Sequence, residues 1–251
     1  MARGFTLEVC VDSVESAIIA AENGATRLEL CGNLVIGGTT PSLELYREVR
    51  RCTGVDVNVL IRPRFGDFHY TEHEMNIMCR EIESFAAEGA HGVVIGALNT
   101  DGTLALPQMK EMIQAADSCH VTLHRAFDVC RNPLEILEQA AELGIDTILT
   151  SGQEASCMEG KELLAKLIQE APKGVDILIG AGVNAEVMEQ LLHDMPARHF
   201  HMSGKKVLDS EMTWRNPRVN MGLPGISEFE IYRTDGEQIK KAKEILESVW
   251  S

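Results

Sequence analysis

Short apolar runs rich in β-branched residues alternate with longer stretches of helical periodicity along the whole chain. The strand-like runs fall at Thr6–Val11, Thr26–Leu30, Asp56–Ile61, Gly92–Ile95, His120–His124, Thr147–Thr150, Asp176–Ile179 and Arg198–Met202. A strand followed by a helix, repeated, is the pattern of a parallel sheet whose crossovers are helices. Eight such runs predict an α/β fold of the closed (β/α)8 TIM-barrel type, in a single domain spanning residues 1–251.

Helix ends carry their own signals. Ser13 precedes an apolar face that includes Ile18, Ile19 and Ala21, and Thr71-Glu72-His73-Glu74 reads as a capping box. Pro107, Pro133 and Asn184 mark later starts, while Gly24, Gly89 and Gly144 stand where helices should stop. One interval breaks the rhythm. Between Ser203 and Asp235, where Gly204, Asn216-Pro217, Gly222 and Pro224-Gly225 punctuate the chain, neither strand nor helix is predicted. A loop that long is expected to serve as a lid, an interface or a disordered segment. Gly236–Trp250 returns to helical periodicity and is expected to close the barrel.

Composition narrows the function. With 45% hydrophobic residues in 251 there is ample core material, yet no apolar run approaches the roughly 18 residues of a membrane span. The formal charge of -15 opposes binding to nucleic acid or anionic lipid. Met1-Ala2-Arg3-Gly4-Phe5 leads straight into a strand without the apolar core of a secretion signal, so a cytoplasmic location is expected. Seven cysteines without a C-x-x-C pair suit reduced thiols better than a disulfide framework.

Candidate chemistry gathers at the carboxyl ends of the strands, where barrel enzymes place their sites. Leu-Glu-x-Cys occurs twice, as Leu7-Glu8-Val9-Cys10 and Leu28-Glu29-Leu30-Cys31. Residues two apart on a strand share a face, so each copy aims a carboxylate and a thiol in one direction. Two converging thiols at Cys10 and Cys31 match the soft ligands of Cu(I), against the alternative that both are small buried hydrophobes. Arg62 and Arg64 can grip a carboxylate or phosphate, although Arg62 can instead neutralise Glu8 and Glu29. His124 can move protons or ligate a metal. Gly180, Gly182, Ser203 and Gly204 lie in the loops that cradle phosphate in many barrels. Zinc is not favoured: His69 precedes the helix that holds His73, and His199-Phe200-His201 has no acidic residue nearby in sequence.

Several of these segments recur together in one known group. Leu7-Glu8-Val9-Cys10-Val11-Asp12-Ser13, Gly24-Ala25-Thr26-Arg27-Leu28-Glu29-Leu30-Cys31, Gly37-Gly38-Thr39-Thr40-Pro41-Ser42, Ile61-Arg62-Pro63-Arg64-Phe65-Gly66-Asp67-Phe68, His124-Arg125-Ala126-Phe127-Asp128 and Leu149-Thr150-Ser151-Gly152-Gln153 resemble, in order, the motifs of the CutC family. The resemblance implies a cytoplasmic (β/α)8 barrel, commonly oligomeric, associated with copper handling. It places the candidate Cu(I) ligands on Cys10 and Cys31, the family's arginine pair on Arg62 and Arg64, and its strand-five histidine on His124. Phe65 departs from the pattern, since many members carry glycine there.

Two functional readings follow. The first is a copper homeostasis protein that binds Cu(I). The second is an isomerase- or lyase-type enzyme for a small anionic or phosphorylated compound. In that reading Arg62 and Arg64 hold the anion, His124 and Glu8 or Glu29 exchange protons, and the loops at Gly180–Gly182 and Ser203-Gly204 bind phosphate. A homo-oligomer, dimer or larger, is expected, with the segment around Trp214 as a candidate interface.

Overall fold

Eight strands pair in parallel and in sequence order: β1 (Thr6–Val11), β2 (Arg27–Leu30), β3 (Asp56–Leu60), β4 (Gly92–Ile95), β5 (His120–Leu123), β6 (Thr147–Thr150), β7 (Asp176–Ile179) and β8 (His199–Met202). Pairing of β8 with β1 closes the barrel. The predicted strands match these to within one residue at each end, because the pattern of buried runs and turns is local. The computed structural model describes residues 4–216, 218–219, 221–222 and 225–250.

The helices are α1 (Val14–Glu22), α2 (Leu43–Cys52), α3 (Glu72–Ala87), α4 (Leu106–Ala116), α5 (Pro133–Leu143), α6 (Lys161–Glu170), α7 (Ala185–Asp194) and α8 (Gly236–Trp250). Their ends obey the capping chemistry read from the sequence. Ser13 accepts a bond from the Ser16 amide, Thr71 and Glu74 close a full capping box, and Gly144 ends α5 with φ of 74°.

Alternation along each strand separates two environments. Leu7, Val9, Val11, Leu28, Leu30, Val57 and Val59 point outward and are buried beneath the helices in one continuous apolar layer. The opposite face carries Glu8, Cys10, Arg27, Glu29, Asn58, His120, Thr122 and His201, so the barrel interior is polar through much of its depth. A TIM barrel usually fills this space with branched aliphatic side chains. Here apolar side chains interrupt the polar lining in places, as a small group of Cys31, Leu60 and Val94 with Leu34 against it, and at Leu149 and Leu178.

The segment from Ser203 to Asp235 corrects the sequence expectation. It forms an antiparallel pair, β9 (Lys205–Asp209) with β10 (Glu230–Thr234). Its two strands are joined by a long loop rather than a tight hairpin turn, so no local turn signal announces the pairing. The Thr234 amide donates to Ser16 Oγ at 3.2 Å and ties the base of this ribbon to α1. Trp214 is 79% exposed on the connecting loop, and Pro217 and Pro224 lie outside the described residues. Among the described residues, no helix is long and apolar enough to cross a membrane. The last helix completes the outer ring, with the Trp250 indole donating to the Ala197 carbonyl at 3.0 Å and Arg198 stacked over its ring.

Candidate functional site

A cavity of about 550 Å³ opens at the carboxyl ends of the strands, lined by Cys10, Glu29, Cys31, Arg62, His124 and His201 among others. Strand register creates its floor. Glu8 sits opposite Arg27 on β2 and opposite His201 on β8, and Cys10 sits opposite Glu29. Since side chains two apart share a face, these residues converge inside the barrel.

Glu8 is fully buried and bonded on both oxygens. Its Oε2 accepts from Arg27 Nε at 2.5 Å, and its Oε1 is 2.8 Å from His201 Nδ1. Arg27, rather than Arg62, is therefore the cation that neutralises Glu8, which corrects one expectation from sequence. Burial works against the charged carboxylate, yet Arg27 and His201 together hold Glu8 at a pKa of about 2. Glu29 has no such bonds. Burial, reinforced by the Glu8 charge and opposed by His201 and Arg27, pushes its pKa up to about 7. His201 is the converse case. Burial favours the neutral ring, but Cys10, Glu29 and Glu8 around it raise its pKa well above the ordinary value.

Three groups at the floor are close enough to share one metal ion. The donor atoms of Cys10, Glu29 and His201 all lie within 4.8 Å of one another. With Nδ1 engaged by Glu8, the ring offers Nε2, which is 3.9 Å from Glu29 Oε2. A carboxylate behind a ligating imidazole is the usual way a protein orients such a ring. Sequence reasoning set His201 aside because no acidic residue is near it in the chain. The closed barrel supplies that acid from β2. Arg27 is not among the site residues read from the sequence, although its place two residues before Glu29 puts it on the same strand face.

Cys31 lines the same cavity but is not part of this trio. Its Sγ donates to the Val11 carbonyl at 3.6 Å. Burial above all, then Cys10, Glu29 and Asp12, drives its pKa far above the usual thiol range, so the thiol keeps its proton.

The two arginines separate. Arg62 faces the cavity, donating through NH1 to the Gly37 and Gly38 carbonyls and through NH2 to that of Gly66, with Phe68 beneath it. Arg64 does not line the cavity. It is bonded to Glu74 at 2.6 Å and to Asp67 at 3.0 Å, and it lies over Tyr70. On a straight strand two residues so spaced would share a face, but β3 ends at Leu60 and the chain bends through residues 63–66, so the two side chains part.

His124 is 4% exposed, and its Nδ1 accepts from the Ala126 amide at 3.1 Å. Burial, with help from Arg62, lowers its pKa to about 3, so the ring is neutral and carries its proton on Nε2. Nearby, Asp128 ties the ends of β5 and β6 together. It accepts from Arg125 Nε, Thr150 Oγ1, the Ser151 amide and hydroxyl, and the Gln153 amide.

The expected phosphate cradle is incomplete. Gly182 and Ser203 line the cavity, whereas Gly180 and Gly204 do not. Those two glycines provide clearance instead: a Cβ on Gly180 would meet Leu149 at 2.7 Å, and one on Gly204 would meet Ile239 at 2.7 Å.

Comparison with known proteins agrees with this architecture. The model of the CutC family matches residues 5–206. A family protein CutC from Parabacteroides distasonis is 43% identical over 236 residues, covering 93% of this chain and 97% of its own. A human protein named copper homeostasis protein cutC homolog is 37% identical over 249 residues, covering 99% of this chain and 91% of its own. A CutC crystal structure from Streptococcus agalactiae superposes with a TM-score of 0.76 at 26% identity, covering 79% of this chain and 98% of that one.

Proposed function

The chain belongs to the CutC family, and from that premise we propose that it takes part in cytoplasmic copper homeostasis by binding copper at the floor of its barrel cavity. The observation that carries this reading is the convergence of Cys10, Glu29 and His201 within 4.8 Å. Thiolate and imidazole are the donors copper favours, and the Glu8 carboxylate sets the His201 ring with Nε2 forward. Cys10 and His201 are the principal donors and Glu29 the third. Cys31, the second cysteine expected from the sequence, is a supplementary donor, because its buried thiol must first lose a tightly held proton.

The position of the site shapes the role. Cys10 is 5% exposed, so copper held there exchanges slowly compared with copper on a surface thiol pair. Storage or buffering suits this site better than rapid hand-off.

Anaerobic titration with Cu(I) against a competing chelator tests the assignment. One equivalent is expected to bind, with binding lost in Cys10→Ala and weakened less in Cys31→Ala. Wild-type affinity in Cys10→Ala overturns it.

A further inference from the structure

Two buried donors at the cavity have no hydrogen-bond partner within the protein. Among the described residues, the buried side-chain polar atoms without a hydrogen-bond partner include Arg62 Nε and His124 Nε2, and of that set only these two residues line the cavity. A buried donor left unmet is costly, because it has given up water without gaining a partner. Two in one cavity call for a shared partner.

Their chemistry is matched. Arg62 is a permanent cation whose bonds go to the carbonyls of Gly37, Gly38 and Gly66, and no carboxylate among the described residues forms an ion pair with it. Arg125, the other arginine lining the cavity, is already paired with Asp128 at 2.6 Å. His124 presents a neutral N–H, since its Nδ1 is occupied by the Ala126 amide. Both groups pack on Phe68: the Arg62 guanidinium carbon is 5.1 Å from the ring centroid and the His124 ring is 4.7 Å from it, centroid to centroid. One aromatic ring thus supports both side chains and keeps the Arg62 guanidinium carbon and the His124 ring centre within about 10 Å of each other. Gly96 makes room for the imidazole, because a Cβ there would come within 2.5 Å of His124 Cε1.

We propose that the mouth of the cavity binds a small organic acid, with its carboxylate on Arg62 and a second oxygen, carbonyl or hydroxyl, on His124 Nε2. Of the other basic side chains on the cavity wall, Arg125 is paired with Asp128, His201 with Glu8, and the Lys205 ammonium lies over the Tyr232 ring, so Arg62 is the cation set beside His124, and the Glu29 carboxyl opposes a second negative charge on the ligand. That favours an oxo- or hydroxy-monocarboxylate over a phosphate dianion. The neutral imidazole suits an uncharged oxygen, as a donor that brings no charge of its own. The site uses neither Cys10 nor His201, so it stands or falls separately from the copper site.

Thermal shift and calorimetry on the reduced, metal-free protein test this, with pyruvate, lactate, acetate and inorganic phosphate as probes. Pyruvate or lactate is expected to raise the melting temperature, acetate to do so more weakly because it lacks the second oxygen, and phosphate least. His124→Asn retains an acceptor for the Ala126 amide but does not reach the Nε2 position, so affinity for pyruvate or lactate should fall at least tenfold while affinity for acetate changes little. Arg62→Met should abolish binding of all three carboxylates and leave Cu(I) affinity as in the wild type. The proposal is overturned if no carboxylate stabilises the folded wild type, if phosphate stabilises it most, or if folded His124→Asn and Arg62→Met respond like the wild type.

Discussion

Glu8 and His201, on the adjacent strands β1 and β8, form a carboxylate–imidazole pair 2.8 Å apart in the barrel interior, with Glu8 wholly inaccessible to solvent. The pair does two jobs. It neutralises a charge that burial alone would forbid, and it fixes which nitrogen His201 shows to Cys10 and Glu29.

Glu8→Gln keeps the shape of the side chain and removes its charge, leaving Arg27 and His201 without their buried counter-ion. Removing one partner of such a pair costs roughly 3–5 kcal/mol. Urea unfolding at neutral pH should show a loss of that order together with weaker Cu(I) binding. A loss well under 1 kcal/mol would mean that water or another acid replaces the carboxylate.

Acid sensitivity follows from His124, whose folded pKa of about 3 lies below its ordinary value of 6.5. A group depressed on folding contributes stability that is present above its unfolded pKa and is lost as pH falls through the folded one. Glu8, lowered to about 2 from 4.5, acts in the same sense at lower pH. Glu29, raised to about 7, acts in the opposite sense, its contribution being full below 4.5 and lost as pH rises through 7. Comparing His124→Asn with wild type isolates the histidine. Between pH 7 and 4.5 the wild type should lose about 3 kcal/mol more than the variant by urea unfolding, and equal losses would show that His124 titrates normally.

Gly96→Ala tests the seat of the same ring. The added carbon would lie 2.5 Å from His124 Cε1 and 2.6 Å from Nδ1, so the imidazole must move. Overpacking of this kind costs about 1–3 kcal/mol. Binding of pyruvate or lactate should weaken while Cu(I) binding at Cys10 persists, and unchanged binding of both would place the ring outside the anion site.

Asp128→Ala should be among the most damaging single changes at the cavity rim. It strands the buried donors of Thr150 and Ser151 and the half-buried Gln153 amide, which the carboxylate collects at the end of β6, and releases the exposed Arg125. Each buried donor left unmet costs about 1–3 kcal/mol. Denaturation should register a loss of several kcal/mol, with Asp128→Asn intermediate.

Arg64→Ala supplies the contrast to Arg62. Its partner Asp67 lies at the surface and Glu74 is partly exposed, and an ion pair in such a setting contributes about 0–1 kcal/mol. Stability should change by no more than about that, and binding of carboxylates should not change. A loss of binding equal to that in Arg62→Met would return Arg64 to the site.

The fold was legible because barrel strands and crossover helices announce themselves over short distances. Thr6–Val11 reads as a strand from its own alternation, and Thr71 with Glu74 caps α3 from four neighbouring residues. The ribbon of β9 and β10 was not legible, since Lys205 and Thr234 pair across a long intervening segment.

The sequence by itself determined that Glu8, Cys10, Glu29 and Cys31 end parallel strands and face one way, because the period of two along a strand is a local rule. It also marked Arg62 and His124 as polar residues at strand ends. Only the closed barrel decided which of them meet. Closure brings β8 back beside β1, so His201 joins Glu8, Glu29 and Cys10 from nearly two hundred residues away, while register sets Arg27 rather than Arg62 against Glu8. Partnership between charges depends on distances of a few ångströms in space, and spacing along the chain carries no record of those until the sheet closes.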